Sequence, residues 1–301
     1  MTQISLLPAG PFTRADARDL GLSSFQIAEL LRCRRIRRVL RNVYVACDVP
    51  DAVEVRAAAA ALAVVPGAVF VDRTAAWLHG VDVLDYRELE VLPPVECVVL
   101  RDRSRIERPE CRSGERDLAP TDVMRVRGLR VTTPLRTALD LGCSLSRPDA
   151  LAALDMFARV HGLTRAELET SAERYRGRRG VVQLRSLLPL VDGLAESARE
   201  SRTRLAILDD GLPAPRLQHW VEDHGVPVFR LDLAYPRHRV AVEYDGAEWH
   251  DQTDEQREGD RWRRRWLADH GWTVIVVRRG DFAAGRRARW LDELRAALRT
   301  R

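Results

Sequence analysis

The sequence predicts an α/β protein of several domains, and three observations predict it. The opening segment is ordered helix, tight turn, helix, and then a basic run ending in strand-like alternation. The middle alternates an alanine-rich helix with apolar strand-like runs and further helices. The last third holds two alternating runs joined by a proline-containing turn, and these runs carry spaced carboxylates. At 301 residues the chain exceeds one typical domain, and the composition shifts place the boundaries at 1–50, 51–194 and 195–301.

Composition narrows the class. A hydrophobic content of 46% with 31% charged residues excludes a mainly disordered chain, and the longest apolar run, Ala57 to Val65, is too short to span a bilayer. Met1 to Pro11 has neither a basic n-region nor a sustained apolar h-region, so a cytoplasmic protein with no membrane association is expected. Cys33, Cys47, Cys97, Cys111 and Cys143 are odd in number and widely spaced, which points to reduced thiols and not to a disulfide framework or zinc finger. All 49 basic residues are arginine, against 44 acidic ones, for a net charge of +5. Guanidinium groups suit bidentate contacts to phosphate and guanine, so nucleic acid is a candidate partner.

In the first segment Thr13 is a helix-capping signal before Arg14 to Leu20, Gly21 makes the turn, and Ser23-Ser24 cap a helix through about Leu31. The run from Arg34 to Val45 is basic at its start and alternates at its end. A winged helix-turn-helix fits this order. The second helix would then enter the major groove, with Arg32, Arg34, Arg35, Arg37, Arg38 and Arg41 contacting phosphate or a groove; the alternative is a solvated arginine face. Thr13 to Leu20, Gly21-Leu22-Ser23 and Arg37 to Tyr44 resemble the N-terminal winged helix of AbiEi-type antitoxins. That resemblance implies a DNA-binding repressor, with a cognate toxin as a candidate partner; helix-turn-helix proteins often work as dimers on palindromes, so a homodimer is a candidate state. Asn42 stands where the wing would be expected to hold glycine.

The middle segment is read as mixed α/β: a helix from Val53 to Val65, strand-like runs Leu89 to Val91, Val95 to Leu100 and Leu129 to Thr132, and a proline-started helix at Pro134. Val131 to Leu141 resembles the middle region of the same antitoxin-related proteins, and no catalytic chemistry is placed there. His79 is expected to cap a helix or pack in the core. Leu184 to Val191 reads as a short helix before a boundary near Gly193.

The chemistry is expected in the last third. Ala195 to Asp209 reads as a helix with Ala198, Leu205 and Leu208 on its apolar side and Glu200 in its first turns. Phe229 to Tyr235 and Arg239 to Gly246 alternate around the turn Pro236-Arg237-His238, which predicts a hairpin. A turn centred between Arg237 and His238 sets Asp232 opposite Glu243, and Asp245, two residues on, shares the face of Glu243. Converging carboxylates either share protons or hold a divalent cation, magnesium or manganese. Trp249, Trp262, Trp266 and Trp272 are mostly core candidates, with Trp249 placed to stack or wedge.

Glu200-Ser201-Arg202, Asp232 and Val242 to His250 resemble the PD-(D/E)XK superfamily, particularly the very-short-patch-repair endonuclease-like domains. Arg257, Asp260 and Arg264, then Leu267 to Val277, continue the resemblance through a helix and a closing strand. It implies a restriction-endonuclease-like α/β/α domain and a magnesium-dependent phosphodiesterase, with Asp232 and Glu243 as metal ligands. Asp245 stands where the superfamily usually has lysine. Either His250, Arg257 or Arg264 supplies the missing positive charge at the phosphate, or the site is catalytically inert. His250 is the candidate general acid or base, or else a packing residue. The sequence therefore points first to a DNA-directed, magnesium-dependent endonuclease delivered by a winged helix; the alternative is a non-catalytic repressor or antitoxin whose nuclease-like fold only binds. RNA is the alternative substrate.

Overall fold

A computed structural model of the chain describes residues 7–63, 68–83, 94–99, 111–245 and 254–299. In chain order the elements are β1 (Phe12–Thr13), α1 (Arg14–Asp19), α2 (Ser24–Arg32), β2 (Ile36–Leu40), β3 (Val43–Ala46), α3 (Val53–Ala63), β4 (Val69–Phe70), α4 (Asp72–Leu78), β5 (Val95–Val99), β6 (Cys111–Glu115), β7 (Val123–Val126) and β8 (Leu129–Thr132). There follow α5 (Pro134–Ser144), α6 (Arg147–His161), α7 (Arg165–Ala172), α8 (Val181–Leu187), α9 (Ala198–Asp209), β9 (Arg216–Asp223), β10 (Val226–Tyr235), β11 (Val240–Asp245), α10 (Asp254–Asp269), β12 (Thr273–Arg278) and α11 (Ala284–Arg299). The chain is mixed α/β with three sheets and divides into two compact units: Met1–Ser144 with Leu168–Leu184, and Leu145–Glu167 with Arg185–Arg301. Among the described residues no helix is long and apolar enough to cross a membrane. Cys33, Cys47 and Cys143 are free thiols.

In the first unit, local chemistry sets the opening helices. Thr13 and Asp16 form a reciprocal capping box on α1, and Ser23 and Gln26 form another on α2. Gly21, at φ +83°, makes the turn between them. The basic run is a hairpin, β2 and β3, completed by β1 in the order β1-β3-β2. Asn42 takes φ +61° at its tip, a conformation that asparagine tolerates better than other non-glycine residues, so the missing glycine is no obstacle. Phe12, Ala17, Leu22, Ile27, Ile36 and Tyr44 form a small core. Val39, Leu40, Val43 and Val45 turn instead into the core built by α3, α4 and the second sheet. That sheet runs β6-β5-β4-β8-β7. The predicted strand at 129–132 and the proline-started α5 are in place, β5 is described to Val99, and α3 is described to Ala63; Leu89 to Val91 lies outside the described residues. His79 is buried at the C-terminal cap of α4 and meets the Thr132 carbonyl through Nε2 at 2.7 Å, a capping and packing role.

The second unit carries the sheet β12-β11-β10-β9. β9 and β10 join through His224-Gly225, both at positive φ, the two-residue turn whose twist suits an antiparallel hairpin. β10 and β11 pair with Leu233 opposite Val242, the register predicted from sequence. β11 and β12 are parallel, joined across α10. One face packs on α9 and α11 through Ile207, Trp290, Leu291 and Leu294; the other packs on α10 through Leu267. Three expectations need correction. The helix predicted from Ala195 begins at Ala198, because Ser197 caps it. Its buried side is Glu200, Ser201, Thr203, Arg204, Leu205, Ala206 and Ile207, and Ala198 and Leu208 are only half-buried, because α6 packs against it as a second neighbour. Trp262 is 59% exposed, because its ring meets the sheet only edge-on at Phe229, whereas Trp272 is buried as expected. The expected helix at 184–191 is α8 followed by a short 3-10 turn.

The tie between α6 and α9 is ionic. Asp155 is fully buried; it accepts from Arg204 Nη2 at 2.7 Å and from the Asp192 backbone N–H at 2.8 Å. Asp155→Ala is expected to cost about 3–5 kcal/mol in urea unfolding by stranding a buried guanidinium, and the double variant Asp155→Leu/Arg204→Met to recover most of it.

Candidate functional site

Three predicted site residues meet in the second unit. Glu200 is the third residue of α9, Asp232 lies mid-β10, and Glu243 follows Val242 on β11. Continuing the Leu233–Val242 pairing by one residue places Asp232 opposite Glu243. Burial holds the Asp232 carboxyl above the ordinary range, and the Glu243 charge adds to this against the pull of Arg263 and of the Tyr244 backbone N–H. Burial likewise raises Glu200, and the charge of Asp232 contributes. The charge of Asp232 thus acts on Glu200, while Asp245 has its own partners. Asp245 faces Arg264 at 3.5 Å and Arg278 at 3.8 Å, because the strand end on which it lies adjoins α10 and the end of β12.

The carboxylates are already engaged. Glu200 accepts from the Glu196 backbone N–H at 3.0 Å, Ser197 Oγ at 2.8 Å and Gln218 Nε2 at 2.8 Å, which closes the first turn of α9. Both oxygens of Glu243 are held by Arg263, with Nη1 at 2.9 Å from Oε2. Arg263 was not among the sequence candidates: it lies within Arg261 to Arg265, and only its position on α10 over β11 separates it from its neighbours. A magnesium ion needs open carboxylate oxygens and keeps several waters. With Glu243 fully committed to a guanidinium, the donor set as arranged does not fit one. Among the described residues no group of three or more His, Cys, Asp or Glu is placed to hold a metal. His250 and Trp249 lie outside the described residues, as does the side chain of Arg257 on α10.

The candidate nucleic-acid arginines of the first unit are exposed except Arg37, which is half-buried. Arg34, Arg35, Arg38 and Arg41 are exposed on and beside the β2–β3 hairpin. Arg32 is paired with Glu29 one turn earlier, at 2.6 Å, and Arg37 donates to the Val49 carbonyl at 3.1 Å. On α2, Phe25 is 80% exposed. Arg264 keeps an exposed guanidinium beside Asp245.

A second charge cluster, in the first unit, was not foreseen from sequence. Arg136 is buried on α5 and donates to Asp140 at 2.8 Å and Asp122 at 2.8 Å. Arg174 reaches both oxygens of Asp122 at 3.0 Å, Arg116 joins Asp140 at 3.0 Å to Asp72 at 2.7 Å, and Tyr175 donates its hydroxyl to Asp140 at 2.8 Å. Three guanidinium groups thus neutralise three aspartates. Only the Arg136/Asp140 spacing of one helical turn is visible in the sequence. Burial drives the Asp122 carboxyl up, but Arg174, the Ala119 backbone N–H and Arg136 outweigh it and leave the group below its ordinary value.

Residues 67–190 match the family model described as the AbiEi antitoxin C-terminal domain. Two uncharacterized proteins of Mycobacterium tuberculosis, from the Oshkosh and H37Rv strains, are each 42% identical to this chain over 182 residues. The alignment covers 58% of this chain, which spans 66% of the length of these curated relatives. The charge cluster around Arg136 lies within the matched 67–190 span, whereas Glu200, Asp232 and Glu243 lie beyond it.

The lowered Asp122 carboxyl has a pH consequence. Its folded value lies below its unfolded value of about 4, so its stabilisation is present above about pH 4 and is lost as pH falls through the lowered value. Asp122→Asn is expected to cost about 3 kcal/mol in urea unfolding at neutral pH, with the gap to the wild type narrowing in acid. A gap that stays constant with pH would show that the ion pairs are not its source.

Proposed function

We propose that the chain is a DNA-binding regulator of the antitoxin type, and that its C-terminal domain binds without catalysing. The match of residues 67–190 to the AbiEi antitoxin C-terminal domain carries this reading. In it, residues 1–50 form a winged helix with α2 as the recognition helix and the β2–β3 hairpin as the wing. Arg34, Arg35, Arg38 and Arg41 contact phosphate, and the exposed Phe25 meets an apolar base edge. Residues 51–194 engage a cognate toxin protein, and residues 195–301 form the endonuclease-like fold. The chain works in the cytoplasm, as a homodimer on a palindromic site.

The test is binding of the full chain to its own promoter, followed over a salt series. Affinity is expected to fall steeply with salt. Arg34→Ala/Arg35→Ala/Arg38→Ala is expected to weaken binding on all sequences and to flatten the salt slope by about one for each phosphate no longer neutralised. Absence of promoter binding at low salt would remove the reading.

The convergence of Asp232, Glu243 and Glu200 favours a second reading, a magnesium- or manganese-dependent phosphodiesterase acting on DNA or RNA. It requires Arg263 to leave Glu243, with Asp232 and Glu243 then free as ligands, His250 as general acid or base, and Arg257 or Arg264 at the phosphate. Plasmid and single-stranded DNA incubated with manganese decide it. Nicking that disappears in Glu243→Ala would establish it, and intact DNA would eliminate it for DNA.

A further inference from the structure

We infer that Arg263 is the resident cation of the carboxylate centre, its guanidinium standing where a divalent metal would stand, so that the centre is a closed ion-pair hub. The inference rests on the geometry of the C-terminal sheet and is independent of the DNA-binding reading.

Glu243 is 8% exposed, and a buried carboxylate needs a counter-charge. Arg263 supplies it bidentately, through Nη1 to Oε2 and Nη2 to Oε1. The same guanidinium is fixed twice more: Nη2 also donates to the Arg230 carbonyl at 2.9 Å, and Cζ lies 5.7 Å from the Phe229 ring centroid. α10 is thereby fastened to both β10 and β11 at the point where the carboxylates meet. Arg261, Arg264 and Arg265 are exposed on the same helix; Arg263 alone of this run is half-buried.

The consequence for metal binding is direct. Arginine keeps its charge in proteins, so the cation that Glu243 holds is a permanent one. A divalent ion must displace a charge-assisted, two-point contact, while its own dehydration already costs free energy. Glu200 offers little recompense, since its carboxylate already accepts from three donors. Deleting the guanidinium reverses the balance: Glu243 becomes an unpaired buried carboxylate beside Asp232, and two facing carboxylates without a cation attract one.

Manganese titration of the full chain, read by the free-ion electron paramagnetic resonance signal, tests this. The wild type is expected to bind no tighter than Glu243→Gln. Arg263→Ala is expected to bind at least about tenfold tighter than the wild type, and Arg263→Ala/Glu243→Gln to lose that gain. Circular dichroism confirms folding, and Arg263→Met, which keeps the volume without the charge, carries the same expectation if the alanine variant unfolds. Wild-type binding that Glu243→Gln weakens about tenfold would overturn the inference, as would a folded Arg263 variant that gains no affinity.

Discussion

Pairing of guanidinium with buried carboxylate is the interaction on which this structure turns. The chain has no lysine, so every side-chain cation apart from histidine is a planar, permanently charged fork. Among the described residues such pairs sit inside the fold at Arg204 with Asp155, Arg136 with Asp122 and Asp140, and Arg263 with Glu243. Each joins elements that local sequence would leave independent. Arg204 binds α9 to α6, Arg136 binds α5 to the turn before β7, and Arg263 binds α10 to β11. Replacing such a pair by hydrophobic residues need not lower stability, but removing one partner strands the other charge. These contacts therefore constrain which partners each element accepts more than they add net free energy.

How far the fold was legible depends on how local its causes are. Thr13, Gly21 and Ser23 act within a single turn, so α1, α2 and the turn between them could be read off directly. The β10–β11 register was also accessible, because the positions of Pro236 and His238 set the turn and the turn sets the pairing. The buried side of α9 was not. Its neighbour α6 comes from some fifty residues upstream, and only that contact explains a buried Ser201, Thr203 and Arg204. The β9–β10 turn at His224-Gly225 carries a glycine signal of its own, although the strand before it was not predicted.

The candidate site divides along the same line. Alternation on paired strands was enough to bring Asp232 and Glu243 together, and Glu200 followed from its place in the first turn of α9. What alternation could not supply was the identity of the counter-charge. Sequence alone offered His250, Arg257 and Arg264 in place of the missing lysine, whereas the helix carries Arg263 onto Glu243. Helical phase, and not the spacing of charges along the strand, decides which arginine of a run faces the sheet. The Arg136 cluster is a sharper case, since its members are drawn from residues 72 to 175 and only one pair is helically spaced.

These pairs also bear on function. A fold is no evidence of an activity by itself, since function resides in the site. The region matching the antitoxin family holds a cluster of three guanidinium groups paired with three aspartates, and the carboxylate centre beyond it is closed by its own arginine. In both, charge is answered by charge inside the fold. A closed carboxylate centre requires Arg263 and Glu243 to depend on each other. A double-mutant cycle on Arg263→Met and Glu243→Gln, measured by urea unfolding of the full chain, isolates that dependence. Coupling of about 2–3 kcal/mol is expected, and a coupling indistinguishable from zero would mean that the two side chains lie side by side without holding each other.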